Sequence, residues 1–168
     1  DAVHQAAPET SVEALIGDLR GNEDDLATII GSKPEILAHN LETVPRMQGA
    51  VRPQATYDRS MQVLESISNA GLVCKTGIMV GIGETDEEVF DTLADIMAKT
   101  GTEIITIGQY LQPSRNHLPI DRWVHPDQFK IYEEEGLKLG FRVVESGPLV
   151  RSSFHAEEQV QLHKEKEA

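Results

Sequence analysis

Cysteine is almost absent from this sequence, since Cys74 is the only one in 168 residues. A single cysteine excludes a disulfide within the chain. Cys74 stands in an apolar segment with Lys75 as its one cationic neighbour, which favours a buried, inert thiol over a nucleophile. Long apolar runs are also missing. None approaches the roughly 20 residues of a membrane span, and no signal peptide opens the sequence.

Positive charge is scarce as well, because 15 Lys and Arg residues stand against 28 Asp and Glu, giving a net charge of -13. This excess of negative charge argues against nucleic acid as the main partner, and its simplest interpretation is that it keeps the protein soluble. The length and the 39% hydrophobic content predict one domain with one ordinary core. The sequence begins at Asp1 without an initiator Met, which indicates a processed, trimmed or fragmentary chain.

The most informative segment is 75–86, with the sequence KTGIMVGIGETD. Its apolar residues predict a buried strand that runs into two glycines, Gly81 and Gly83. Thr85 and Glu88 have the spacing of a capping box, so a helix should begin at about residue 86. A strand, a glycine turn and a capped helix are typical of sites in α/β proteins. Taken alone, the segment fits a plain strand-to-helix connection equally well.

Apolar and amphipathic segments alternate through the rest of the chain. Further strands are predicted at 12–16, 36–40, 103–107 and 143–144, and helices at about 23–31, 57–70 and 126–138. Asn22 is placed to cap the first of these helices and Pro126 to begin the last. Strand–helix repeats every 25–35 residues predict an α/β fold with parallel strands and right-handed crossovers. Polar residues and glycines at the strand ends predict a binding site along that rim.

Three segments together closely resemble the lipoyl synthases, which are radical S-adenosylmethionine enzymes. They are HNLETVPR at 39–46, TIGQYLQPS at 106–114 and ESGPLVRSSFHA at 145–156. The resemblance runs in order from about Glu9 to Gln159. It implies a single domain over 1–168, in which about 9–145 form part of a partial (β/α)6 TIM-like barrel and 146–168 form a closing loop and tail. Phe154 stands where the family usually has Tyr.

The resemblance implies radical insertion of two sulfur atoms into a protein-bound octanoyl chain to form the lipoyl cofactor. It also implies two [4Fe–4S] clusters and S-adenosylmethionine. The implied partners are an octanoylated lipoyl-carrier domain or the glycine cleavage H protein, and a reductant such as ferredoxin or flavodoxin. The expected location is the bacterial cytoplasm, or the mitochondrion of a eukaryote.

One departure from the family is large, because neither of its two cluster-binding cysteine triplets is present. The chain therefore resembles the carboxyl-terminal half of a lipoyl synthase. With a single cysteine it can hold neither cluster, so we expect the isolated chain to be inactive. The cheapest discriminating observation is whether two cysteine triplets precede this sequence in its parent gene.

The same resemblance implies a set of S-adenosylmethionine contacts at the strand ends. These candidate residues are Asn40, Glu42, Lys75, Gly77, Gly81, Gly83, Gln109 and Leu111. The Asn40 amide and the Glu42 carboxylate suit the ribose or the amino-acid part of the ligand. The glycines let the backbone approach the ligand, and Gln109 and Leu111 close the adenosine pocket. The alternatives are a turn cap for Asn40 and a solvated side chain for Lys75.

Ser152 is the one candidate catalytic and metal-binding residue. By resemblance, it ligates the fourth iron of the auxiliary cluster, whose other ligands are the missing cysteines. The alternative is that Ser152 or Ser153 caps a short terminal helix, which is worth about 1 kcal/mol.

Four arginines, Arg46, Arg52, Arg115 and Arg122, follow the predicted strands. They form either a docking patch for an acidic carrier domain or a set of locally paired surface residues. Among the histidines, we read His39 as a structural hydrogen-bonding residue and His155 as orienting the final loop. His117 is structural or faces substrate.

Two other functions stay open. One is a non-catalytic α/β module that binds a nucleotide. The other is a phosphate-binding barrel enzyme, which Gly147-Pro148-Leu149 disfavours because proline lacks an N–H donor. We also predict that strand 12–16 has an open edge that invites self-association.

Overall fold

The computed structural model describes residues 2–153, and a five-stranded parallel sheet forms its centre. The strands are β1 (Glu13–Leu15), β2 (Ile36–Ala38), β3 (Val73–Val80), β4 (Ile104–Gln109) and β5 (Val143–Gly147). They lie in the sheet in chain order, and every neighbouring pair is parallel. The prediction of an α/β fold with parallel strands is confirmed.

Helices precede and connect the strands, and the four predicted ones begin where the local signals place them, at residues 23, 57, 86 and 126. They are α1 (Ala2–Ala6), α2 (Glu23–Gly31), α3 (Gln48–Val51), α4 (Tyr57–Asn69), α5 (Asp86–Thr100) and α6 (Pro126–Leu139), with 3-10 turns at Leu19–Gly21 and Pro45–Met47. Asn22 caps α2, and Thr85 and Glu88 form the capping box of α5. Within residues 2–153, no helix is both long and apolar enough to cross a membrane.

The two faces of the sheet have different surroundings. Side chains from α2, α4, α5 and α6 pack with Leu37, Cys74 and Ile105 in the main core on one face. The other face, which we call the inner face, carries a small cluster formed by Ile36, Val73, Ile104 and Val143. No described helix contributes to that cluster. Because side chains alternate along a strand, Lys75, Gly77 and Thr106 also lie on the inner face.

Strand β1 lies at one edge of the sheet and pairs only with β2 among residues 2–153. The predicted open edge is therefore confirmed for the described part of the chain. A long-range ion pair ties this short strand to the sheet, because Lys75 Nζ on β3 lies 2.9 and 3.0 Å from the two carboxylate oxygens of Glu13. The pair spans β2, where Ala38 is the register partner of Lys75.

His39 follows β2 and is buried, as a structural histidine should be. Its Nδ1 donates to the carbonyl of Ile16 at 3.0 Å, which links the chain after β1 to the chain after β2. Burial lowers the pKa of His39, so the folded protein holds the ring neutral.

We expect this histidine to make folding sensitive to mild acid. The unfolded chain protonates His39 below about pH 6.5, whereas the folded chain resists, so the free energy of unfolding should fall as the pH drops below that value. The slope from this group is at most about 1.4 kcal/mol per pH unit. Urea unfolding at pH 5.5 and 7.5 measures it. His39→Gln should flatten the dependence and His117→Gln should leave it unchanged; equal profiles for all three proteins would contradict this assignment.

Candidate functional site

A cavity of about 210 Å³ lies at the carboxyl end of the inner face. It collects six of the predicted site residues, namely Asn40, Glu42, Gly77, Gln109, Leu111 and Ser152. Small-molecule sites usually enclose about 300–1,000 Å³. This cavity is smaller than that range and lies at the rim where the sequence predicts a site; we call its lining residues the cavity wall.

Asn40 presents an unused hydrogen-bond acceptor at this wall. Its Oδ1 is buried and has no partner among residues 2–153. The same oxygen lies only 3.1 Å from the position that a Cβ at Gly77 would take, so glycine at 77 keeps the space in front of the amide open. An unsatisfied buried acceptor costs about 1–3 kcal/mol. A ligand that donates a hydrogen bond here recovers that cost.

Glu42 supplies a second acceptor from an unusual backbone conformation. Its φ of 71° lies in the left-handed region, which non-glycine residues rarely occupy. Two parallel bonds hold it there, since Glu42 N donates to Gly77 O and Met79 N donates to Glu42 O, both at 2.9 Å. Burial raises the pKa of the Glu42 carboxyl, although the Asn40 amide and the charge of Arg52 act against this shift.

Two residues that the sequence interpretation did not assign to the site hold this wall in place. Arg52 Nη1 donates to Asn40 O at 3.1 Å, and Gln48 Nε2 donates to Leu41 O at 2.8 Å. Both belong to the segment between β2 and α4, where the sequence predicted no helix. Its helix α3 has only four residues and includes Gly49, so helical periodicity could not reveal it.

The turn after β3 is built around the carboxylate of Glu84, which is buried. Gly81 N and Ile82 N donate to it at 2.7 and 3.0 Å, and Arg122 Nη2 donates at 3.2 Å. The backbone of Asp121 also donates to Gly81 O at 2.9 Å. These bonds pin the loop after β4 against the glycine turn.

Gln109 serves the same connection with its side chain. Its Nε2 donates to Arg122 O at 3.1 Å, and its Oε1 accepts from Val124 N at 2.9 Å. The amide that we predicted as an adenosine contact is therefore engaged with the protein, and Gln109 contributes to the cavity wall by shaping the loop.

Asp86, at the start of α5, completes this cluster. Arg122 Nη2 donates to it at 2.7 Å, and the Tyr132 hydroxyl on α6 donates to the same carboxylate. Burial alone would raise the pKa of Asp86, but the bonds from Arg122 and Tyr132 outweigh it and lower the pKa. Arg122 thereby joins the loop after β4 to two helices and keeps a negative partner at neutral pH.

Three of the predicted site residues do not line the cavity. Lys75 is fully buried in its pair with Glu13, so it is not free to meet a ligand carboxylate. Gly81 is required by the turn, because its φ is 89° and a Cβ there would stand 2.3 Å from Gln109 Nε2. Gly83 faces Met47. The sequence could not show which way each of these residues faces, and Lys75 lies near the start of β3, away from its carboxyl end.

Most arginines of the predicted patch are engaged in local contacts. Arg46 pairs with Glu88 at 2.6 Å, while Arg52 and Arg122 make the bonds described above. Arg115 is exposed. The alternative of local pairing therefore holds for three of the four arginines.

Of the remaining predicted residues, His117 can be placed and two others cannot. His117 Nδ1 lies 2.9 Å from Ser114 Oγ, so this histidine orders its own loop. The predictions for His155 and for Phe154 fall outside the described residues.

The described residues do not provide an iron–sulfur ligand set. Cys74 is buried, and its thiol lies 3.6 Å from Leu64 O as a donor to that carbonyl. Within residues 2–153, no group of three His, Cys, Asp or Glu side chains could hold a metal ion. The prediction that this thiol is buried is confirmed, its inertness stays a prediction, and no cluster can be assigned to the described side chains.

A second cavity, of about 400 Å³, lies on the outside of the sheet between α2 and α4. Its charged groups include Asp18 and Arg59, which pair with each other at 2.6 Å. None of the predicted site residues lines it. We therefore regard it as a surface groove.

The parallel sheet and the site at its carboxyl rim define a class of protein. The Radical SAM superfamily matches residues 2–96, and the chain belongs to that superfamily. Among curated proteins, the chain is similar to the lipoyl synthase of Treponema denticola, with 50% identity over 95% of the chain and 54% of that protein. Lipoyl synthases of Phocaeicola vulgatus and Koribacter versatilis are 49% and 47% identical over 92% and 98% of the chain.

The chain spans about half the length of the curated relatives that it matches, and the matching part is their carboxyl-terminal half. Among solved structures, the archaeal Methanocaldococcus infernus Elp3 with an N-terminal deletion superposes with a TM-score of 0.54. The superposition covers 94% of this chain and 42% of that one at 9% identity, so it supports the fold alone.

Proposed function

We propose that this chain supplies the S-adenosylmethionine-binding wall of a lipoyl synthase. The single observation that carries the proposal is the cavity at the carboxyl rim of a radical SAM sheet, which is lined by the two acceptors of Asn40 and Glu42 and by apolar Leu111. The similarity to lipoyl synthases extends over almost the whole chain and favours the lipoyl synthase reaction among the reactions of the superfamily.

The chemistry of the wall suits an adenosine group. Ribose hydroxyls donate hydrogen bonds, and the free Asn40 Oδ1 and the Glu42 carboxylate accept them. Leu111 offers apolar contact for the base. The Thr106 hydroxyl and the Asn40 amide lie close to Gly77 because glycine has no side chain there. These residues bind, orient and exclude water; none of them removes a proton from the substrate.

S-adenosylmethionine supplies a 5′-deoxyadenosyl radical on one-electron reduction, which removes hydrogen from unactivated carbon atoms. No side-chain base is strong enough to deprotonate an alkyl C–H, so the protein contributes by positioning the reactants. We propose a protein-bound octanoyl chain, on a lipoyl-carrier domain or the glycine cleavage H protein, as the substrate. A low-potential reductant such as ferredoxin or flavodoxin and two [4Fe–4S] clusters belong to the same proposal.

The proposal is tested by joining this chain to the part of the Treponema denticola lipoyl synthase that it does not match. After iron and sulfide reconstitution, the joined protein should form 5′-deoxyadenosine and lipoylate an octanoylated H protein. The 168-residue chain alone should form neither. An Asn40→Leu variant of the joined protein tests the cavity wall itself and should lose both products.

Two outcomes would contradict the proposal. A joined protein that binds S-adenosylmethionine but makes no product would favour the non-catalytic nucleotide-binding module. Formation of 5′-deoxyadenosine by the isolated chain would show that our account of its missing cluster ligands is wrong.

Ser152 lines the same cavity as Asn40 and Glu42. We propose it as an oxygen ligand of the auxiliary cluster. A thiolate binds iron softly and tightly, whereas a serine oxygen is a harder and more easily released donor. Such a donor suits a cluster that gives up sulfur.

In the joined, cluster-loaded protein, Ser152→Ala should leave 5′-deoxyadenosine formation within about twofold of the parent and abolish lipoyl product. Mössbauer spectra should change for one of the two clusters. Ser153→Ala, the adjacent control, should change neither readout. If Ser152→Ala and Ser152→Cys both turn over like the parent, the ligand role fails.

A further inference from the structure

Two segments at the carboxyl rim of the sheet contain no acidic residue. Segment 110–120 follows β4, and segment 148–153 follows β5, the strand that pairs with β4. Neither contains an Asp or a Glu, although 28 of the 168 residues of the chain are acidic. We call these two segments the acid-free rim. In a protein with a net charge of -13, such a surface is where a negatively charged partner meets the least repulsion.

Both segments border the inner-face cavity. Leu111 lines the cavity from the first segment, and Arg151 lines it from the second. The second segment lies directly on β4, because a Cβ at Gly108 would collide with Val150 O and would stand 3.3 Å from Arg151 Nη1. A partner that contacts the acid-free rim therefore lies beside the opening through which a substrate reaches the cavity.

The two arginines of the acid-free rim are not paired with carboxylates of the protein. Neither Arg115 nor Arg151 forms an ion pair among residues 2–153, in contrast to Arg46 and Arg122. Arg151 Nη1 donates to the carbonyl of its own neighbour, Val150, at 2.6 Å. A guanidinium carries five N–H donors in a fork that matches a carboxylate. Both arginines therefore have donors available for the carboxylates of a partner.

Exposed apolar side chains accompany these charges. Leu149 is 80% exposed and Leu111 is 44% exposed. The loop that carries Leu111 is ordered by its own bonds, since Gln112 Nε2 donates to His117 O at 2.9 Å. A surface that is ordered before binding loses little conformational freedom when a partner docks. Apolar side chains beside available arginines on such a surface are typical of protein–protein interfaces.

We infer that the acid-free rim is the docking surface for the protein domain that carries the octanoyl chain, and that this domain is acidic around its attached acyl chain. The inference rests on the proposed function, because the acyl chain must reach an adenosyl group in the cavity and its carrier must then lie at the rim. Charge sets the chemistry of the carrier, since Arg115 and Arg151 attract carboxylates whereas the net charge of -13 repels them elsewhere.

Two substrates separate docking from chemistry in the joined, cluster-loaded protein. One is the octanoylated H protein, and the other is a short peptide with the same octanoyl-lysine, which needs no docking surface. Dithionite supplies the electrons in both assays, so the docking of a protein reductant does not contribute. The measured quantities are kcat and KM for each substrate.

Arg115→Glu should raise the KM for the octanoylated H protein about fivefold at about 50 mM salt and much less at about 300 mM, because salt screens surface charge. Leu149→Ser should raise the same KM about threefold at both salt concentrations, because apolar contact is not screened. Both variants should leave kcat, and the KM for the peptide, within about twofold of the parent, since neither residue lines the cavity.

Lys33→Glu and Leu137→Ser are the matched controls. Lys33 is exposed and precedes β2, at the opposite end of the sheet, and Leu137 is exposed on α6. Neither change should alter either KM. If Arg115→Glu and Leu149→Ser affect both substrates equally, or affect neither, the docking surface is wrong while the proposed function stands. If the unchanged joined protein converts neither substrate, the proposed function fails, and this inference fails with it.

Discussion

Replacing Gly81 by alanine should cost the chain about 2–6 kcal/mol of unfolding free energy, the sum of a strained left-handed backbone and an overpacked core. Gly81 has a φ of 89°, and an added Cβ would stand 2.3 Å from Gln109 Nε2 and 2.4 Å from Arg122 O. Arg122 O is a backbone atom, so a change of side-chain rotamer cannot relieve the clash. Because small domains are stable by only about 5–15 kcal/mol, much of the fold's stability depends on this one position.

Urea unfolding followed by circular dichroism measures the loss. Gly49→Ala is the matched control, because Gly49 lies in helix α3, has nothing within 4 Å of its Cβ position and does not have a positive φ. That change should be neutral or stabilising by up to about 1 kcal/mol, since alanine is the better helix former. Equal effects of the two substitutions would mean that the turn can relax and that Gly81 does not fix the loop.

The second large effect is expected from the Glu13–Lys75 pair and should be unequal for its two members. Lys75 has a side chain that is 1% exposed, whereas that of Glu13 is 20% exposed. Glu13→Gln leaves an ammonium buried without its counter-charge and should cost about 3–5 kcal/mol. Lys75→Met keeps the buried apolar volume and leaves Glu13 able to reach water, so it should cost less than about 2 kcal/mol.

A double-mutant cycle separates this explanation from simple loss of packing. The variant with both Glu13→Gln and Lys75→Met should be more stable than Glu13→Gln alone, because the uncompensated charge is gone. Urea unfolding at pH 7 gives all four free energies. If Lys75→Met proves as damaging as Glu13→Gln, or if the two losses simply add, the charge of Lys75 is not what makes the pair matter.

The elements of this fold that the sequence predicted well are those fixed by local chemistry. The Asn22 cap and the Thr85–Glu88 capping box each depend on side chains within a few residues of the backbone that they bond. Pro126 likewise begins α6 through its own fixed φ. Such signals are readable because the interacting groups are neighbours in the chain.

The elements that the sequence did not predict depend on distant residues. Glu13 and Lys75 are 62 positions apart, so nothing near Lys75 showed that its ammonium was already paired. The amide of Gln109 is engaged by Arg122, 13 positions along the chain. Strand β5 also runs to Gly147, beyond the predicted 143–144, because its polar residues pair with β4. Composition and periodicity place such residues on strands without giving their partners.

The central claim is that the inner-face cavity binds the adenosine group of S-adenosylmethionine, and a backbone NMR titration tests it most directly. We expect S-adenosylhomocysteine to shift the amide resonances of Glu42, Gly77 and Leu111, which line that cavity. The amides of Gln62 and Ser66, in the outer groove between α2 and α4, should not move. Asn40→Leu should remove the shifts at the rim. Shifts confined to the outer groove, or no shifts at saturating ligand, would contradict the account.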